Sequence, residues 1–203
     1  MASLSANPLD YSDILEVFSV QTKAIYTFQN EVLAALRARS LNRNRHAEFF
    51  GLTSTEILTR FDLYLREAEY HGILTLLARL EAEIKADFLA RTAQSPFNSL
   101  FVVWGVQPKF EDLMETWKKV APLNRISFGD LKGVRRFRHW LAHGRNYSTN
   151  IARSYTLADV ATIFRDVVVA ITSLPPSSSI SVFQSTLIEW RLKIRHLRPF
   201  KWI

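Results

Sequence analysis

The 203-residue chain has no cysteine. That excludes disulfides and thiolate zinc sites and is compatible with a reducing cytosol, so a cytoplasmic protein is expected. Long apolar runs are missing as well. Leu100-Phe101-Val102-Val103-Trp104 is far shorter than the roughly 20 residues a membrane span needs, so no membrane partner is expected. The stretch Met1–Pro8 lacks the charged and apolar regions of a secretory signal. No internal repeat, glycine-rich phosphate loop or acidic metal cluster is visible. Acidic residues are in deficit, 19 against 26 lysines and arginines, which leaves a formal charge of +7 and favours a polyanionic partner. The 48% hydrophobic content is that of an ordinary globular protein, and the length suits one domain with an appended tail.

What the chain does contain is helical periodicity. From Asp13 to about Ser40, Ile14, Phe18, Ile25, Phe28, Val32, Leu33 and Leu36 recur at helical steps. Residues 41–52 interrupt the pattern with Asn42, Asn44 and Gly51, while Arg43, Arg45 and His46 make the loop basic. It reads either as a solvated connector or as a contact to an RNA backbone. Thr53-Ser54-Thr55-Glu56 is a capping box for a helix that runs to about Thr92 unless it bends near Gly72. Leu58, Phe61, Leu65, Ile73, Leu76, Leu77, Leu80, Ile84 and Phe88 are its expected buried side. Glu67, Glu69, Glu81 and Glu83 alternate with Arg66, Arg79 and Lys85, which reads as a salt-bridged solvent face rather than a carboxylate site. His71 reads as structural.

Gln94–Asn98 is a turn, and segment 100–106 is ambiguous between strand and buried helix. Pro108 suits the first turn of a short helix with Phe110, Leu113, Met114 and Trp117 inward. Ser127–Asp130 and Thr156–Asp159 are two further capping boxes, the second opening a helix through Ile171. Pro175-Pro176 and Ser177–Ser179 form a joint. The basic, aromatic tail beyond it either packs as a last helix or serves as an arm for RNA. The expected fold is all-α, a bundle of about five to six helices. Residues 1–174 form the domain, and 175–203 the joint and C-terminal helix.

The densest chemistry lies in Arg135–Arg145, with four arginines and two histidines in eleven residues. On a helix at about 100° per residue, Leu131, Val134, Phe137 and Leu141 gather on one arc, with Trp140 at its edge. Lys132, Arg135, Arg136, His139 and His143 gather opposite, with Arg138 and Ala142 towards one side. His139 and His143, four apart, are neighbours on one face. Gly144 is placed to end the helix, leaving His143 in its last turn. Arg138 and His143 are expected on the polar arc, so replacing either should leave the fold intact. Arginines and imidazoles gathered on one face suit phosphate chemistry.

Arg138 followed after four residues by His143, with a polar residue directly after the arginine, resembles the signature of the HEPN superfamily. The string Arg138-His139-Trp140-Leu141-Ala142-His143-Gly144-Arg145 looks most like the RiboL-PSP type. The likeness in motif covers about residues 127–147. It implies a HEPN-like helical domain that dimerises and a metal-independent endoribonuclease that needs no cofactor. His143 would then be the acid–base residue, Arg138 would hold the scissile phosphate, and His139 would orient either. Lys132, Arg135, Arg136 and Arg145 would bind RNA. The resemblance also implies a toxin or a defence effector against phage, with an antitoxin or defence-complex partner. The alternative is an inactive HEPN module that binds RNA or nucleotide.

Overall fold

A computed structural model describes residues 10–92, 110, 113–115, 117, 125–142 and 154–173. The fold is all-α, and no strand occurs among the described residues. Among the described residues four α-helices are delimited, α1 (Tyr11–Arg37), α2 (Ser54–Thr92), α3 (Arg125–Ala142) and α4 (Leu157–Thr172), with a short 3-10 turn at Ala47–Phe49; residues 110, 113–115 and 117 are helical as well. None of them is long and apolar enough to cross a membrane. The turn at 94–98, segment 100–106, the loop 145–150 and the joint and tail at 175–203 lie outside the described residues, as do His143, Gly144 and Arg145.

Helix boundaries follow local chemistry. Asp10, not Asp13, caps α1: its carboxylate takes the Tyr11 N–H at 2.6 Å, while Asp13 reaches back to the Asp10 N–H at 3.0 Å. This is a capping box built from two aspartates, which a search for hydroxyl-x-x-glutamate passes over. At the other end Arg39 adopts the left-handed region, φ 52°, and the bonds Arg39 N–H to Leu36 carbonyl and Ser40 N–H to Ala35 carbonyl complete a Schellman motif. The box at α2 forms as expected: Thr53 N–H donates to Glu56 at 2.8 Å and Glu56 N–H to the Thr53 hydroxyl at 3.3 Å. Those bonds, the backbone one foremost, hold the Glu56 carboxyl below the usual carboxylate range. The α4 box also forms, Thr156 N–H donating to Asp159 at 3.0 Å and Asp159 N–H to the Thr156 hydroxyl at 3.1 Å. The third box does not open its helix. α3 begins at Arg125, so Ser127–Asp130 fall inside it. A single cap contributes only about 1 kcal/mol, and Asn124, another cap-type residue, competes with Ser127 in the sequence.

The chain packs as two compact units, Met1–Arg79 with Phe137–Val160, and Leu80–Arg136 with Ala161–Ile203. In the first, Val32, Phe49, Ile57 and Phe61 form a core cluster flanked by Ile25, Phe28 and Leu36. Phe49 and Phe61 stack at 5.3 Å, and Phe28 meets both edge-on at 5.8 Å. Ile57 is fully buried while Leu58 is 41% exposed, which corrects the expected inward residue by one position. A second contact in this unit joins α4 to α2. A methyl placed on Gly72 would meet both Leu157 Cδ atoms at 3.3 Å and Phe18 at 3.5 Å, a tight fit that the leucine side chain would have to relax by a few tenths of an ångström. Beside it, Leu157 N–H donates to Glu69 Oε1 at 3.0 Å. Glu69 therefore caps a distant helix and is not part of a solvent-facing ion-pair array, although Lys85 and Glu81 do pair at 3.4 Å. The second unit buries Leu80, Ile84 and Phe88 of α2, Phe110, Leu113, Met114 and Trp117, Leu131 and Val134 of α3, and Val167 and Ile171 of α4.

Two substitutions test these local assignments. Arg39→Gly removes the left-handed penalty of a residue with a Cβ and should stabilise by about 1 kcal/mol, raising the melting temperature by roughly 2–4 °C; thermal circular dichroism showing a lower melting point would contradict the cap. Glu69→Ala should destabilise by about 1–2 kcal/mol and Glu69→Gln, which keeps an acceptor, by clearly less. Equal denaturant midpoints for the two variants would remove Glu69 from its capping role.

Candidate nucleic-acid interface

α3 separates its residues by burial as the angular pattern requires. Leu131, Val134, Phe137 and Leu141 are 1%, 0%, 2% and 8% exposed. Lys132, Arg136, His139 and Ala142 are exposed. Burying those four apolar side chains stabilises by roughly 6–12 kcal/mol in gross transfer terms, which fixes the rotation of the helix about its axis. Lys132, Arg136 and His139 are consequently held on its outer side, within about 60° of one another.

The remaining basic residues behave differently. Arg135 is half-buried, and its guanidinium sits 5.6 Å from the centroid of the Phe110 ring, a cation–π contact inside the second unit. No local signal announces that pair, because 25 positions separate the two residues. Arg138 is half-buried too and has packing or polar partners of its own. Its expected place on the polar arc is thus corrected. Four residues after Val134 and seven after Leu131, it lies only about 40° and 20° from them on the helix. His139 is exposed, but it is not without interactions. His143 and Arg145 lie outside the described residues.

Within the first unit, Phe137 is the hub of an aromatic cluster. Tyr70 approaches it edge-on at 5.9 Å, Tyr155 tilts against it at 5.9 Å, and Trp140 stacks on it at 5.6 Å and 26°. Tyr155 is 8% exposed and precedes by two residues Leu157, which is seated at Gly72. The part of α3 that carries Arg138 and His139 is therefore backed by rings from α2 and from the approach to α4.

The basic loop before α2 is not a free cationic surface. Arg45 grips Glu31 of α1 as a fork, Nε to Oε1 and Nη2 to Oε2, each at 2.6 Å. His46 is 4% exposed; its Nδ1 accepts the Asn42 N–H at 3.1 Å, so the ring proton sits on Nε2 and points to Glu31 Oε1 at 3.1 Å. Asn42 closes the turn by accepting the Asn44 and Arg45 N–H groups at 2.8 and 3.2 Å. Of the loop's three basic residues, two are tied to α1 in folding the connector.

No protein-family model matches the chain, and neither a curated protein nor a solved structure matches it.

The half-burial of Arg138 has a measurable consequence. Arg138→Ala should lose about 1 kcal/mol of stability through its buried stem and partners, whereas Arg136→Ala should stay within about 0.5 kcal/mol of wild type. Denaturant midpoints that rank the two variants the other way would contradict this placement.

Proposed function

We propose that the protein is a metal-independent endoribonuclease of HEPN type that acts as a homodimer. The observation that supports it is the division of α3 into a buried apolar arc and an exposed side bearing Lys132, Arg136 and His139. That exposed side leads in sequence to His143, and the Arg138–His143 string resembles the HEPN signature. The formal charge of +7 agrees with a polyanionic substrate.

In this reading the ribose 2′-oxygen attacks the adjacent phosphorus and the bond from phosphorus to the 5′-oxygen breaks. The products are a 2′,3′-cyclic phosphate and a 5′-hydroxyl. His143 takes the 2′-hydroxyl proton, a task suited to an imidazole that titrates near neutral pH. The guanidinium of Arg138 neutralises the phosphate oxygens as charge builds on them. His139 orients the phosphate or His143. Lys132, Arg136 and Arg145 hold the flanking backbone, while Arg135 is drawn over the Phe110 ring. The leaving 5′-oxygen needs a proton while the 2′-oxygen loses one, and a single imidazole does not serve both ends in one step. A second His143 from the partner protomer supplies the other half, which gives dimerisation a chemical purpose. A growth-arresting toxin or anti-phage effector, held in check by an antitoxin or a defence-complex partner, is the biological role that accompanies this chemistry.

The test is cleavage of total RNA by purified protein in EDTA, with end-group analysis of the products. Wild type should cut and leave cyclic phosphate and 5′-hydroxyl ends. His143→Ala should lose on the order of 10²–10⁴ in rate with an unchanged melting temperature. Arg138→Lys retains the charge but not the fork, so it should also fall, and His139→Ala should be affected less than His143→Ala. Cleavage that requires magnesium, or that survives His143→Ala, refutes the proposal. Binding of RNA without any cleavage leaves an RNA-binding module.

A further inference from the structure

Glycine costs a helix interior more than any residue except proline, so a glycine inside a helix calls for a reason. Gly72 has one in the close packing of Leu157. Gly129 in α3 has none of that kind. It is exposed, it keeps an ordinary helical backbone, and a Cβ added to it would meet nothing within 4 Å. Packing does not ask for glycine there, which leaves a close approach to the helix backbone from outside. Its neighbours on the helix say what would approach. Gly129, Lys132 and Arg136 lie within about 60° of one another on the exposed side of α3. Lys132 and Arg136 are exposed, and neither has an ion pair or hydrogen bond among the described residues. Asp130, the one acid in α3, lies roughly 160° round the helix from Lys132. The row is one residue wide, because Arg135 on one flank is drawn over the Phe110 ring and Gly133 stands on the other. Lys132 and Arg136 are about 6 Å apart along the axis, close to the step between neighbouring phosphates of an unpaired strand.

We propose that Gly129, Lys132 and Arg136 form a single-file track for one strand of RNA lying lengthwise on α3. Adjacent phosphates meet Lys132 and Arg136, and the sugar of the next nucleotide settles against the bare backbone at Gly129. The proposal rests on the ribonuclease reading and deepens it, giving the substrate's backbone a path and making the substrate unpaired. A duplex presents phosphates on both sides of a groove and calls for cations on both flanks of the helix, which Arg135 and Gly133 do not supply. An acidic protein segment would use the two cations but has no need of the glycine. Contacts of this kind position a strand and read no sequence.

The experiment uses the full chain and a labelled 2′-fluoro RNA, which lacks the attacking hydroxyl, as a single strand and as a duplex, with polyglutamate as competitor. Anisotropy titrations at several salt concentrations should show wild type binding the single strand more tightly than the duplex. Lys132→Ala and Arg136→Ala should each reduce the slope of log affinity against log salt by about 0.7, the share of one phosphate on a single strand. Gly129→Ala should raise the melting temperature by roughly 2–4 °C, since the helix gains and the fold loses nothing. Gly129→Leu should fold equally well yet bind the strand roughly tenfold more weakly, as expected when one charge-assisted contact is displaced. The track is overturned if a folded Gly129→Leu binds as wild type does, or if Gly129→Ala melts lower than wild type. It is also overturned if the duplex binds as tightly as the single strand, or if polyglutamate competes as well as unlabelled RNA. Cleavage by a wild type whose salt slope ignores Lys132 and Arg136 would sink the track and spare the ribonuclease reading. Binding with the expected slopes but without cleavage would do the reverse. A wild type that neither binds nor cuts any strand overturns both.

Discussion

The approach of Leu157 to the backbone of α2 at Gly72 is the contact on which the surroundings of α3 depend. A Cβ at residue 72 would meet the leucine methyls at 3.3 Å, so the glycine lets Leu157 pack closely against the backbone of α2. Glu69, one turn earlier on α2, then takes the Leu157 N–H that the helix start would otherwise leave without an intrahelical partner. A carboxylate at a helix N-terminus is further favoured by the helix dipole. Steric fit and hydrogen bond together seat residue 157 and, two positions before it, Tyr155. Tyr155 and Tyr70 enclose Phe137, and Phe137 backs Trp140. Residues of α2 and of the approach to α4 thus back the end of α3 that carries Arg138 and His139.

Cationic side chains serve two different ends in this protein. Arg45 is a strand in the network that folds the connector between α1 and α2, and Arg135 is half-buried over an aromatic ring. Lys132 and Arg136 stand exposed. Net charge alone therefore does not locate the cationic surface offered to a polyanion: the forked Arg45–Glu31 pair already sums to zero within the +7, and Arg135 is partly withdrawn from water. The polyanion-binding case rests on where the uncommitted cations are gathered, and α3 gathers two of them beside a histidine.

Arg138 illustrates the tension in a helix that packs one face while a catalytic role is proposed for its residues. Its angular position brings it towards Leu131 and Val134, so the residue is half-buried and partnered. A group held that way would lose less freedom on taking a phosphate in the proposed reaction, because part of its side-chain entropy is already lost in the fold. The same partners make the residue matter to stability, so activity and folding have to be read apart in any variant at this position.

Local rules carry most of what the amino-acid order settles. The capping boxes at Thr53 and Thr156 and the inward arc of α3 are readable because each depends on residues within one or two helical turns, where geometry is nearly fixed. The all-α class follows from that periodicity. Local rules fail where two signals of similar strength compete, as at Ser127 against the earlier start at Arg125, or where one position of angular drift decides burial, as at Ile57 and Leu58. The Arg138–His143 spacing is likewise legible, but spacing on a helix does not reveal which arginines packing will draw in. The rest depends on residues brought together across the chain: Glu69 with Leu157 over 88 positions, Glu31 with His46 over 15, and Arg135 with Phe110. No stretch of one or two helical turns contains both partners of such a pair. Whether a glutamate is a solvent charge or a helix cap, and whether an arginine is a phosphate ligand or a core lid, is therefore set by the packing of helices against one another.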